Sequence, residues 1–377
     1  MTKLAVETLD NGSTIINMGP QHPSTHGVIN FRLKLTGEII ETIDPNVGFL
    51  HRGLEKIAEM VPYTGYIPYT DRIDYVSAMF CNQGWCMAVE KLLGLEVPRR
   101  AEYLRAIACE LNRIINHLLA CGSLAMDCGA VTPFLHCIRE REHVNDLMEK
   151  ICGARLTYNY MRFGGVSCDY APGLDKEILT FIDRFERFLP ELNRLITDNE
   201  IFVNRLIHLG VIDADSAISY SLGGPNLRAS GVDFDLRRDY SYSAYPELKF
   251  KVVTGNGYRG EVGDSFARYM VRIDEMSESA KIVRQAIEGL PEGEIQAKVS
   301  RNPSIAPGEI YSVVESNRGE LGYYVVSNGT DRAFRARIRT GSYTAMSLLQ
   351  KFVPGLMVAD LVAFFGSLDV VAPEVDR

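Results

Sequence analysis

Two hydrophobic periodicities divide the chain. Along residues 13–44 apolar and polar side chains alternate in short runs, Thr14-Ile15-Ile16-Asn17, Val28-Ile29-Asn30-Phe31-Arg32-Leu33-Lys34-Leu35 and Ile39-Ile40-Glu41-Thr42-Ile43. Gly19-Pro20 through His26-Gly27, and then Thr36-Gly37, separate them as turn signals, so a small antiparallel meander is predicted. The segment 18–27 is too polar and too rich in Pro for a strand and is expected to protrude as a loop. From about 53 to 210 the spacing lengthens to threes and fours. Ala101, Leu104, Ile107, Ala108, Leu111, Ile114, Ile115, Leu118 and Leu119 make one apolar stripe at helical spacing. Further helices are predicted over 76–93, 134–152 and 175–199. Another carries Phe266, Met270, Ile273, Met276, Ala280, Val283, Ile287 and Leu290, with Gly263-Asp264-Ser265 as its start signal and Gly289 and Pro291 as its stop.

The Gly- and Tyr-rich stretch 220–262 is expected to be irregular. After residue 300 the period returns to two, in Ile310-Tyr311-Ser312-Val313-Val314-Glu315 and Gly322-Tyr323-Tyr324-Val325-Val326-Ser327, joined by Asn317-Arg318-Gly319 and followed by Arg335-Ala336-Arg337-Ile338-Arg339. Short helical runs at 343–351 and 356–366 end the chain, and no internal repeat appears. The expected class is α+β, a mainly helical bundle core with small antiparallel sheets in the N- and C-terminal parts. The expected parts are a meander and its loop over 1–45, the bundle over 46–300, and a hairpin with short helices over 301–377.

Composition narrows the function classes. With 377 residues, 46% hydrophobic and 23% charged, the chain is an ordinary globular protein, long enough to bury a large core without disulfides. A net charge of −8 argues against binding nucleic acid. No apolar run reaches the roughly 18 residues needed to cross a bilayer. The residues 1–7 lack the apolar centre of a secretory signal. A cytoplasmic chain is expected, with any membrane contact made through partners. The eight cysteines include no C-x-x-C pair and are expected to be buried free thiols.

Several local patterns carry possible chemistry. His22 and His26 stand four apart, but Pro23 and the flanking glycines oppose a helix, and no neighbouring Cys or acid completes a zinc set. Glu140-Arg141-Glu142-His143 holds one Glu-x-x-His where a di-iron bundle needs two, and reads more simply as a charged helix face. Gly257-x-x-Gly260-x-x-Gly263 follows no βαβ pattern and supports nucleotide binding weakly. Neither a P-loop nor a nucleophilic triad can be assembled. Arg72-Ile73-Asp74-Tyr75, just after Tyr69-Thr70-Asp71, reads either as the acidic first turn of a helix or as a phenol placed beside charges to donate to a ligand carbonyl.

Five stretches taken together resemble one family. They are Gly19-Pro20-Gln21-His22-Pro23-Ser24-Thr25-His26-Gly27, Gly48-Phe49-Leu50-His51-Arg52-Gly53-Leu54-Glu55-Lys56, Tyr69-Thr70-Asp71-Arg72-Ile73-Asp74-Tyr75, Arg318-Gly319-Glu320-Leu321-Gly322-Tyr323-Tyr324 and Asp369-Val370-Val371-Ala372-Pro373-Glu374-Val375-Asp376-Arg377. In this order they resemble the 49-kDa-type (D-type) core subunit of NADH:quinone oxidoreductase, the respiratory complex I, from about residue 15 to the end. That family shares its fold with the large subunits of nickel–iron hydrogenases. Lined up with the membrane-bound hydrogenases, the four metal-binding sulfurs fall on Asp74, Ser77, Val371 and Glu374. A soft metal needs thiolates there, so no metal is expected in this chain.

The resemblance implies that the vacated metal pocket holds a quinone, menaquinone or ubiquinone, as substrate. It implies that His26 and Tyr75 bond the two quinone carbonyls and that Asp127 pairs with His26. It places His22, Arg52, Asp369 and Val371 at the cavity or near the terminal [4Fe-4S] cluster of a neighbouring polypeptide. The implied activity is quinone reduction coupled to proton translocation. The implied partners are the other core polypeptides of complex I, namely the B-type one that bears the cluster, the C- and I-type ones and the membrane-embedded H-type one, at the cytoplasmic side of the membrane. The alternative is a hydrogenase-like or scaffold component of a related ferredoxin- or F420-linked complex. Thr157 stands where many members carry a histidine near that cluster, a hint toward a lower-potential quinone such as menaquinone.

Overall fold

The computed structural model describes residues 6–8, 13–20 and 27–377, so His22 and His26 lie outside the described residues. The first sheet is an antiparallel meander of β1 (Val6–Thr8), β2 (Thr14–Met18), β3 (Asn30–Thr36) and β4 (Ile39–Asn46). Phe31, Leu33 and Leu35 of β3 are buried while Arg32 is exposed, the alternation expected of a half-buried strand.

The helices follow as α1 (Leu54–Met60), α2 (Tyr63–Thr70), α3 (Ala78–Leu93), α4 (Arg99–Asp127) and α5 (Val131–Cys152). A minimal hairpin, β5 (Met161–Arg162) and β6 (Gly165–Val166), leads to α6 (Leu174–Leu192). The predicted helix over 175–199 thus ends earlier: Pro190 removes a donor from its last turn, and the chain widens into a π-helical turn over Asn193–Thr197. The stretch expected to be irregular holds short helices, α9 (Gly224–Ala229) and α10 (Leu236–Asp239), after α7 (Glu200–Leu206) and α8 (Ala214–Ser219). α11 (Ser265–Glu288) starts where its signal predicted, with Asp264 Oδ1 accepting from Ala267 N at 2.7 Å. The other oxygen of Asp264 takes the N–H groups of Glu261 and His208. Asp264 thus occupies one donor within the glycine triplet, Glu261 N, and one just beyond it, Ala267 N.

Helix α4 is the axis of the bundle, packed by α5, α11 and α14 (Val358–Leu368). Its predicted apolar stripe is buried, but so is the opposite face, with Arg105, Glu110, Asn112, Arg113, Asn116 and His117 all inside. A helix buried all round must pair every polar group it carries. One contiguous core runs from Leu33 and Ile40 through Trp85 and Ile114 to Tyr323, Phe364 and Val375. Two readings change. Glu140 is buried and paired with Arg139 and Arg184, 2.8 and 2.9 Å away, so the Glu-x-x-His stretch is not simply a solvated face. Five cysteines are buried, but Cys128 and Cys152 are partly exposed and Cys168 is exposed.

The C-terminal sheet orders β7 (Gly308–Ser316), β8 (Gly319–Ser327) and β9 (Arg335–Arg339), and α12 (Gly341–Met346), α13 (Leu349–Phe352) and α15 (Ala372–Asp376) complete the chain with α14. The β7–β8 turn is only Asn317-Arg318, and it points inward: both residues are buried. Glycines make this approach possible. A Cβ on Gly319, at φ +110°, would come within 2.4 Å of the carbonyl carbon of Gly223, and one on Gly341 within 2.1 Å of Arg318 O. Gly319→Ala therefore has neither the backbone conformation nor the space. It is expected to cost at least about 1–3 kcal/mol from backbone strain alone, read as a lowered urea midpoint of the chain.

Candidate functional site

The connection between α2 and α3 carries Asp71, Asp74 and Tyr75 as a series of turns, not as the first turn of a helix. Asp74 shapes it from within: its Oδ1 accepts from Val76 N at 3.1 Å, and its carbonyl accepts from Ser77 N at 3.1 Å. This leaves Oδ2 of a buried carboxylate facing the interior, where it meets the guanidinium of Arg318.

Arg318 is the centre of the site. Only 2% of its side chain is exposed, and every nitrogen of its fork has a partner. Nε donates to the carbonyl of Asp369 at 2.6 Å, and Nη1 to Asp74 and to Ser77 Oγ, the latter at 3.1 Å. Nη2 donates to Asn116 Oδ1 at 2.8 Å and to Asp369 Oδ1 at 3.2 Å. Asp369 reaches it by capping α14 in the left-handed conformation, φ 54° and ψ 47°. That conformation is uncommon outside Gly, Asn and Asp and turns the carboxylate and its own carbonyl toward one guanidinium. Asn116 closes the ring, its Nδ2 donating to Asp369 Oδ2 at 3.1 Å. Asn317 Nδ2 donates to Ser77 Oγ at 2.8 Å.

The other two hydrogenase-aligned positions lie alongside. Val371 is buried, and its N–H donates to Ser342 Oγ at 3.2 Å. The same hydroxyl donates to the carboxylate of Glu374. Burial and the neighbouring charge of Asp74 push the Glu374 carboxyl up, against the pull of Arg318 and Ser342. A carboxylate, a hydroxyl, an aliphatic group and a second carboxylate thus stand where the family comparison predicted vacated sulfurs, and a buried cation sits among them. Among the described residues no three His, Cys, Asp or Glu side chains converge as a metal-binding set.

Tyr75 stands at the rim of this cluster with 39% of its surface exposed. Burial of its ring edge pushes the phenol up, Arg318 pulls it back, and Asp74 and Asp369 add to the rise, so it keeps its proton at neutral pH. The structure therefore brings Tyr75, Asp369 and Val371 into one region with Asp74 and Arg318. Asp127, the last residue of α4, is partly exposed, and its expected partner His26 lies outside the described residues, as does His22. Arg52 is exposed beside the loop 48–51. That loop is fastened to the C-terminal helix, with Gly48 N and Leu50 N each 2.7 Å from the Asp376 carboxylate and His51 Nδ1 2.7 Å from its carbonyl. Thr157 is partly exposed near the surface, in the segment before Asn159. A surface cleft of about 660 Å3, lined by Thr64, Ile67, Asn159, Arg162, Gln296 and Asn302, contains none of the predicted site residues.

Sequence reading misses Arg318, Asn116 and Ser342 as site residues. Asn-Arg-Gly between two strands reads by default as a surface turn. The one available signal for Arg318 is the polar pair Asn116-His117 inside an apolar helix stripe, which needs a buried partner from elsewhere. A second group near the site is Asp71, which is fully buried, accepts from Asn82 Nδ2 at 2.6 Å and has only Arg72, 3.7 Å away, near its other oxygen. Burial raises its pKa to about 7.

The chain matches known proteins over its whole length. It is 58% identical over 379 residues to the NADH-quinone oxidoreductase D-type subunit, numbered 1, of Anaeromyxobacter sp. (strain K), covering all of both chains. The D-type subunit numbered 2 of Sorangium cellulosum (strain So ce56) is 52% identical, with 96% of this chain and 94% of that one covered. The D-type subunit of Bacillus cytotoxicus is 47% identical, with coverage of 96% and 98%. The family described as respiratory-chain NADH dehydrogenase, 49 Kd subunit, matches residues 127–304 and 297–377. With the family match and these full-length relatives in agreement, the chain belongs to the 49-kDa subunit family of the respiratory-chain NADH dehydrogenase.

Proposed function

We propose that this protein forms the quinone-reducing site of a complex I-type dehydrogenase, with Tyr75 as one proton donor. The observation that carries the reading is the partly exposed phenol of Tyr75 beside the Arg318, Asp74 and Asp369 cluster. Reducing a quinone takes two electrons and two protons. A cavity for it needs an electron source within tunnelling reach and a proton donor at each carbonyl. The Tyr75 phenol is a donor that does not ionise early, and it releases its proton only to an oxygen made strongly basic by electron arrival. Arg318, fixed by its surrounding partners, offers a positive field at that oxygen without having to reorganise. His26, paired with Asp127, is the second donor in this reading. In this reading Arg52 lies near the electron source, a [4Fe-4S] cluster held by a neighbouring polypeptide, Val371 and Asp369 line the wall, and His22 belongs to the cavity or the vicinity of that cluster.

No helix among the described residues is long and apolar enough to cross a membrane. In this reading the protein is therefore peripheral, held at the cytoplasmic face by the membrane-embedded H-type component and flanked by the B-, C- and I-type ones, with quinone reduction coupled to proton translocation. A scaffold-only role differs in one measurable respect. Tyr75→Phe in the assembled complex is expected to lower quinone reductase turnover about a hundredfold or more, the low end of what one positioned proton donor supplies, with the variant still incorporated. Normal turnover in that variant overturns the quinone assignment. The Thr157 hydroxyl does not take up a proton near neutral pH, whereas a histidine there does. Thr157→His is accordingly expected to make the neighbouring cluster's midpoint potential fall as pH rises. Superimposable redox titrations of parent and variant at several pH values contradict that placement of Thr157.

A further inference from the structure

Behind the Arg318 cluster, α4 carries Asn116 and His117 side by side, both completely buried. The hydrogen bonds of this pair have only one consistent assignment. A guanidinium can only donate, so Arg318 Nη2, 2.8 Å away, fixes which atom of the Asn116 amide is oxygen. Asn116 Nδ2 then donates to Asp369 Oδ2 at 3.1 Å and faces His117 Nδ1 at 3.5 Å. His117 Nδ1 must accept, which leaves its proton on Nε2, directed at Glu275 Oε2 2.9 Å away. Glu275 is anchored in turn by Arg228, whose Nε and Nη2 lie 2.9 and 2.6 Å from its other oxygen. A directional chain thus runs from Arg318 through Asn116 and His117 to the Glu275 carboxylate, which Arg228 meets from the other side while also donating to Glu315 at 2.7 Å.

We propose that His117 is a positioning residue for the cavity: in its neutral, Nε2-protonated form it holds Asn116, and through it Arg318 and Asp369, in the arrangement that faces Tyr75. A second proton on the ring converts Nδ1 from acceptor to donor. Asn116 must then rotate its amide, which turns NH2 against the Arg318 guanidinium and the carbonyl oxygen against the Asp369 carboxylate. Both cavity contacts of Asn116 are lost in one step. The surroundings oppose that protonation. Burial acts most strongly, and Arg113 on the same helix and Arg272 on α11 add to it, against the attraction of Glu275, so His117 is held below the usual histidine range. The other charges around it are Arg228 on α9, Asp369 at the end of α14 and Arg318 at the hairpin tip, each already committed to a partner.

The inference rests on the quinone reading for its functional consequence, but not for its chemistry, so two measurements separate them. In the full chain labelled with 15N-histidine, one ring, absent from the spectrum of His117→Asn, is expected to show the neutral Nε2–H tautomer and to stay neutral well below pH 6.5, the ordinary histidine pKa. A charged ring, or the Nδ1–H tautomer, at neutral pH overturns the proposal whatever the cavity binds. In the assembled complex, His117→Asn keeps an acceptor toward Asn116 but cannot charge. Its turnover at the acid pH where the parent's labelled ring has taken up its second proton, relative to pH 7.5, is expected to exceed the parent's ratio severalfold. Superimposable acid limbs overturn the positioning role, since a merely structural histidine changes the level and not the shape. Stability gives the same sign. A folded pKa below the unfolded one means that the unfolded chain binds the proton first, so this contribution is lost as pH falls below about 6.5, and His117→Asn is expected to remove that part of the acid sensitivity.

Discussion

The whole interior is arranged around one buried guanidinium. Taking Arg318 out of water is tolerable only because two carboxylates, an amide, a hydroxyl and a carbonyl surround it. Those partners, with Arg318 itself, come from five places in the chain: the α2–α3 connection, the start of α3, the middle of α4, the hairpin tip and the end of α14. Removing one side of a buried pair of this kind costs about 3–5 kcal/mol, a large part of the stability of any domain. The cluster therefore specifies the relative placement of those elements more sharply than apolar contact does. The glycines at 223, 319 and 341 exist at their positions for the same reason, since any side chain there would keep the hairpin tip out.

Arg318 connects, through Asn116 and His117, to a larger buried set. Glu110, Arg113, Arg228, Asp235, Arg237, Glu275 and Glu315 are all inside and mutually paired. Burial alone drives such carboxyls toward neutrality, yet Arg228 and the His117 bond hold Glu275 well below the usual carboxylate range. Tyr245 and Ser279 complete the shell of Glu110 at 2.7 and 2.6 Å. A rigid, densely paired ionic interior of this kind provides a preorganised field. It can sustain a charge change at its edge without rearranging. The edge is where Tyr75 is exposed, between a fixed cation and two anions.

At the site itself a carboxylate and a hydroxyl, from Asp74 and Ser77, hold an arginine, and Val371 contributes a buried apolar side chain near them.

Periodicity alone was enough for the α+β class, the long helices α3, α4, α5 and α11, and the main strands of both larger sheets, because those depend on which side chains recur every two or every 3.6 residues. Motif resemblance added the family and singled out Tyr75, Asp369 and Val371. What the sequence left undetermined was everything set by distant partners. The Asn-Arg-Gly turn reads locally as a surface hairpin, and the packing of β7 and β8 against α3, with α9 and α12 beside β8, is what buries it. The apolar stripe of α4 says nothing of its polar side, which α11 and α14 help to cover, and Glu140 reads as part of a charged face until Arg184 of α6 reaches it. Even the proton on His117 is decided by Arg318, 201 positions away along the chain (318 minus 117), because a group that can only donate forces the direction of every hydrogen bond behind it.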